Sequence, residues 1–194
     1  KNTIKTTDFE FKEVPPLSHC PGFESHPFPH LHPVRINCSL ALFELLYEEI
    51  EQGEDDDVFY LCEDDYLHRP ATITMIKNLY QSGYKGFFLP YDYPDRYTLD
   101  RGRQADVILG PNSHLRSVPS ATFTMMADKV TWMRYKLEVI RGSVFCDDGW
   151  TWKAFKQTNA FCPIPSWSCH FQENYLSPYV DWEEVFKWAM THDK

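Results

Sequence analysis

The stretch Val58-Phe59-Tyr60-Leu61-Cys62-Glu63-Asp64-Asp65-Tyr66-Leu67-His68 constrains this chain more than any other. Five apolar or aromatic residues run directly into three carboxylates, the pattern of a buried strand whose C-terminal end opens into a polar cleft. In open α/β sheets that edge is where ligands bind. Adjacent acids repel one another and lose hydration when partly buried, so such a cluster needs a compensating cation. Hard oxygen donors select magnesium, manganese or calcium. The plainer alternative is a solvated turn after an edge strand, and both readings stand at this point.

The 194 residues, 43% of them hydrophobic, suffice for one good core, so a single domain over residues 1–194 is expected. An aromatic content of 16% with fourteen prolines predicts long ordered loops and aromatic-lined clefts. The formal charge of −9 and the lack of any basic block argue against a nucleic-acid partner bound through its phosphates. One small anionic ligand stays compatible with that charge, because a bound divalent metal reverses the local field. Six cysteines without a CxxC pair read as reduced thiols of a cytoplasmic protein. No run reaches membrane-spanning length and no signal peptide is visible, although a chain starting at Lys1 is compatible with trimming from a longer protein. Asn37-Cys38-Ser39 fits a glycosylation sequon, which has no meaning without secretion.

Taken in order, residues 3–14 permit a strand, and the six prolines of 15–33 impose a loop packed by its own rings. His19, His26, His30 and His32 lie in that loop, but the intervening prolines hold the backbone extended and disfavour a shared metal. Ser39 is expected to cap a helix through Glu51 with Leu42, Phe43, Leu46, Tyr47 and Ile50 inward, ended by Gly53. Pro70 starts a second helix carrying Ile73, Ile76, Leu79 and Tyr80, stopped by Gly83, and residues 86–90 form another short buried strand. Strand, helix and strand at that spacing predict a right-handed βαβ crossover. Residues 91–102 read as a polar, aromatic loop with Asp92, Asp95, Arg96 and Asp100. Strands follow at 106–109 and 121–126, then a helix capped by Asp128 and reaching Ile140, with Val130, Met133, Leu137 and Ile140 inward.

The second chemical stretch is Cys146-Asp147-Asp148-Gly149-Trp150-Thr151-Trp152. Two acids heading a helix either complement its dipole or supply a general base beside stacking tryptophans. His170 follows an extended run and precedes a loop, so it can reach a cleft or serve as a structural residue. Arg116 reads as a phosphate or acidic-sugar ligand, or as half of an ion pair. Asp181 caps a terminal helix with Trp182, Val185, Phe186 and Met190.

Glu63-Asp64-Asp65 after a hydrophobic strand resembles the acidic, DXD-like metal motif of GT-A-fold glycosyltransferases. The phrases LCEDDYLHRP, LPYDYPDRY, SHLRSVPSATFTMMA and PIPSWSCHFQENYLSPYVDW are similar to a group of bacterial and viral glycosyltransferase-like proteins, over about residues 58–182. The resemblance implies an α/β fold with a mixed, mostly parallel central sheet flanked by helices. This chain departs from that pattern in having only residues 3–14 and the Pro-rich loop ahead of the Ser39 helix, so either an abbreviated N-terminal part or a base held by unfamiliar residues is expected. The resemblance further implies a nucleotide-diphosphate-sugar donor, a glycan or other hydroxyl acceptor, and manganese or magnesium held by Asp65 and His170. Glu63 would be a ligand or a ribose contact, with Asp64 and Arg116 on the donor side. Asp148, or else Asp147, would take the acceptor proton, in an inverting transfer. Two rivals from other classes are a metal-dependent hydrolase and a catalytically silent carbohydrate-binding domain.

Overall fold

The computed structural model describes residues 33–98, 105–121, 124–145 and 148–192, with side chains described except at 33–41, 143–145 and 148–150. The expected strand at 3–14, the loop histidines His19, His26, His30 and His32, and Asp147 lie outside the described residues. Helix α1 (Pro33–Gln52) begins ahead of the expected Ser39 cap. A proline in the first turn costs little, since its missing N–H has no partner within the helix. Phe43, Tyr47 and Ile50 are buried as their spacing requires. The Lys129 ammonium donates to the carbonyls of Gly53 (2.6 Å) and Glu51 (3.0 Å), which closes the C-terminal end of α1.

Strand β1 (Val58–Leu61) leads through the acidic turn to β2 (Tyr66–His68), and α2 (Thr72–Gln81) follows. Then come β3 (Val107–Leu109), β4 (His114–Ser117) and β5 (Met125–Asp128). Helices α3 (Lys129–Arg134), α4 (Lys136–Phe145) and α5 (Asp148–Thr158) succeed them, and β6 (Phe161–Ile164), β7 (Ser168–His170) and α6 (Trp182–His192) complete the described chain. Pairing is antiparallel throughout the named strands: β1 with β5, β2 with β7, and β3 with β4 with β6.

The 87–91 segment ties these groups together. Phe88 bridges Met126 of β5 in antiparallel sense and Phe161 of β6 in parallel sense, and Tyr91 bridges Ser168 of β7. Alternate residues then feed opposite faces. Phe87, Leu89, Met125, Ala127 and Cys162 face a cluster with Phe43 and Tyr47 of α1, Trp132 of α3, Val139 of α4 and Phe155 of α5. Phe88, Met126, Phe161 and Leu115 face Ile76, Leu79 and Tyr80 of α2. Both Phe87 and Phe88 are fully buried, each contributing roughly 1.5–3 kcal/mol. Gly86 admits the segment at φ +134°; a Cβ there would collide with the Thr158 carbonyl.

The protein is therefore mixed α/β, with small antiparallel sheets, and the expected mostly parallel sheet is not seen among the described residues. Continuous apolar runs report burial on both faces, and here helices cover both faces of antiparallel strands. Strand β1 and the 87–91 segment both run antiparallel to β5, so the expected crossover pair is parallel but has β5 inserted between its members. The stretch 113–116, expected to join two strands, is itself mostly strand.

Asp128 caps α3 as expected, its Oδ1 accepting the Thr131 N–H at 2.8 Å. The helix breaks at Tyr135, and the break resets the inward face. Thr131, Trp132 and Val139 are buried while Val130 and Leu137 are exposed. Asp181 caps α6 through the Glu184 N–H at 3.0 Å. Trp182 is buried, while Phe186 and Met190 are exposed. No helix among the described residues is long and apolar enough to cross a membrane.

Candidate functional site

The acids of the β1–β2 turn meet β7 because β2 pairs with it, Tyr66 opposite His170 and His68 opposite Ser168. The Phe171 N–H donates to the Asp65 carbonyl at 3.0 Å, extending that ladder by one step. The Asp65 carboxylate thereby comes to 2.8 Å from His170 Nε2, with the aspartate side chain 57% exposed and the imidazole 23% exposed. Aromatic rings hold the imidazole in place. Tyr66 stacks on it at 5.5 Å and 9°, and Tyr175 lies against it at 5.1 Å. Tyr91 meets Tyr66 edge-on and donates its hydroxyl to the Tyr175 carbonyl, which fixes both rings.

Glu63 turns toward β5. Its N–H donates to Thr124 Oγ1 at 3.3 Å, and the Thr124 hydroxyl donates to Glu63 Oε2 at 3.2 Å. Burial raises the Glu63 carboxyl above its ordinary pKa; the Thr124 hydrogen bond opposes that shift and the Asp65 charge adds to it. Asp64 is exposed.

Behind the turn, Tyr60, Cys62 and His68 form a second polar group. The Tyr60 hydroxyl is 2.7 Å from His68 Nε2, and Cys62 Sγ is 3.9 Å from the same nitrogen. Burial lifts Tyr60 well above its ordinary pKa, so the phenol keeps its proton, and the imidazole tautomer sets which partner donates in the Tyr60–His68 hydrogen bond. Burial also pushes the Cys62 thiol up, so this cysteine and histidine are not an activated nucleophile and base. Burial lowers the His68 imidazole below its ordinary pKa. The unfolded chain therefore takes up a proton at higher pH than the folded one, and stability falls as pH drops through the ordinary histidine range toward the folded value. The His68 contribution to the melting temperature should be smaller at about pH 5 than at about pH 7, opposed by the raised Glu63 carboxyl, and His68→Gln should change the slope by that contribution. An unchanged slope in the variant would remove His68 as its source.

Arg116 is not brought to the Asp65–His170 pair. It is buried, with Nη2 donating to Asp92 Oδ2 at 2.9 Å, Nη1 to the Arg96 carbonyl at 3.3 Å and the guanidinium over the Tyr97 ring at 4.3 Å. The ion-pair alternative is the one the structure shows. Asp148 opens α5, Asp147 lies outside the described residues, and Trp152 is exposed with the Lys156 ammonium over its ring.

The sequence reading missed the rings of Tyr66 and Tyr175, the Thr124 hydroxyl, and the whole Asp92 cluster. Asp92 carried a usable signal, since it follows the apolar 87–91 run as Glu63 follows β1, with an arginine four residues on. Among the described residues, no group of three or more His, Cys, Asp or Glu side chains is arranged to hold a metal. Asp65 and His170 form a pair of donors. Their 2.8 Å separation is that of a direct ion pair or hydrogen bond between carboxylate and imidazole. Compared with known proteins, the chain matches no family model, no curated protein and no solved structure.

Proposed function

We propose that the chain is a metal-dependent glycosyltransferase of GT-A type, moving a sugar from a nucleotide-diphosphate donor to a hydroxyl acceptor. The observation that carries this reading is the convergence of Asp65, in the turn after an apolar strand, with the sequence-distant His170. The carboxylate oxygen suits manganese or magnesium, the imidazole nitrogen suits the softer manganese better than magnesium, and the half-exposed Asp65 side chain is open to solvent. The bound ion would neutralise charge developing on the leaving nucleoside diphosphate. Asp65 and His170 hold that position, and Tyr66 and Tyr175 keep the imidazole oriented. Glu63, kept in place by Thr124, serves as a further ligand or a ribose contact. Asp148 at the head of α5 takes the acceptor proton.

The test is manganese-dependent binding of nucleoside-diphosphate sugars, followed by calorimetry. Asp65→Ala should weaken that binding by at least about 100-fold, the upper range for losing even an outer-shell partner, and leave the melting temperature close to wild type because Asp65 is exposed. Unchanged affinity would remove the metal role. Release of free sugar without an acceptor would instead favour the hydrolase.

A further inference from the structure

We propose that the protein carries a saccharide-binding cleft separate from the Asp65–His170 pair, at the opposite end of the β2–β7 ribbon. This goes beyond the transfer reading and does not require it. Asp65 precedes β2 and Arg69 follows it, so the three residues of β2 separate the two places, about 13 Å along an extended backbone.

The cleft has a volume of about 370 Å³ and lies between Arg69, Pro165, the 179–181 turn and the exposed side of α6. That size falls within the range of small-molecule sites. Two aromatic rings line it. Trp188 is 41% exposed, and Tyr179 is 76% exposed at φ +68°, a backbone state that a bulky residue seldom adopts. Tyr97 meets the Tyr179 ring edge-on at 5.7 Å, and His192 stacks on Trp188 at 4.6 Å. The Arg69 guanidinium sits at the wall with Nη1 donating to the Ser166 carbonyl at 3.4 Å. Asp181 and Glu184 complete the polar lining, and the Asp181 carboxylate spends an acceptor site on the Glu184 N–H.

This chemistry selects the ligand by elimination. Two carboxylates against one guanidinium disfavour a phosphate or another anion, and a lining otherwise made of Pro70, Pro165, Tyr179, Val180, Val185 and Trp188 offers a small hydrated cation too few oxygen donors. A neutral molecule with an apolar face and a rim of hydroxyls satisfies both conditions. A pyranose ring lays its C–H face on tryptophan or tyrosine and directs hydroxyls to carboxylate and guanidinium.

The probes are the neutral tetrasaccharides of glucose, N-acetylglucosamine and xylose, titrated into the full chain and followed by tryptophan fluorescence and calorimetry. We expect at least one to bind, Trp188→Ala to weaken it at least about tenfold with unchanged melting, and Asp65→Ala to leave it intact. Failure of all three to bind, or equal binding by the Trp188→Ala chain, would overturn the proposal. Loss of binding in Asp65→Ala but not in Trp188→Ala would place the sugar at the other site and overturn it too. Loss of manganese-dependent donor binding alone bears only on the transfer reading.

Discussion

Asp92→Ala is expected to cost about 3–5 kcal/mol of stability, the range for breaking a buried ion pair from one side, and to lower the melting temperature by roughly 10 °C for a chain of this size. Asp92 is 1% exposed and stands between two buried arginines, Arg116 Nη2 at 2.9 Å and Arg96 Nη1 at 3.5 Å. The Tyr97 hydroxyl donates to it at 2.5 Å, and the Cys162 thiol, pushed up to about 12 by burial, donates at 3.3 Å. Its own N–H donates to Ser166 Oγ at 2.8 Å, and its carbonyl accepts from Ser177 Oγ at 2.7 Å. Alanine keeps the backbone bonds but takes from both buried guanidinium groups the counter-charge that Asp92 supplies, a far greater penalty than losing one hydrogen bond. Since whole domains are stable by only about 5–15 kcal/mol, this is a large share of the total. Urea and thermal melts check it, and Arg116→Met on the Asp92→Ala background should recover part of the loss. A single variant melting within about 2 °C of wild type, under 1 kcal/mol at this size, would show that the cluster is dispensable.

The second large effect falls on Asp148. If it accepts the acceptor proton, Asp148→Asn should lower transfer by about 10²–10⁴-fold while donor affinity and melting temperature stay near wild type. If it serves only as a helix-end charge, the same change should cost about 0.5–2 kcal/mol of stability and leave turnover unaltered. The position at the first turn of α5 is common to both roles. Parallel turnover and melting measurements on one variant decide between them, and a chain that transfers normally but melts earlier assigns Asp148 to the helix.

Much of the local structure was legible. The acid-bearing turn after β1, the caps at Asp128 and Asp181 and the inward faces of α1 and α2 follow from spacing and side-chain chemistry. The single helix expected from Asp128 to Ile140 failed because its inward face was extrapolated through Tyr135. The chain breaks there, so Trp132 and Val139 are buried in place of Val130 and Leu137. Arg116 was ambiguous because its partner Asp92 lies outside β4 and 24 residues away, and no local pattern links the two.

By itself, then, the sequence determined that the 87–91 run is buried, where helices begin under an aspartate cap, and where three carboxylates collect, whereas the equally apolar β1 is only partly buried and β3 is exposed. These are local matters of period, capping and charge. Only the tertiary structure decided strand direction, because alternating or continuous apolar residues look the same whichever way the neighbouring strand runs. It also decided that β5 enters between β1 and the 87–91 segment, and that β2 takes β7 as its partner. Those pairings depend on long-range packing of Phe87 and Phe88 against helices on opposite faces. The meeting of Asp65 with His170 is a consequence of the β2–β7 register, set by backbone hydrogen bonds between segments that share no local signal.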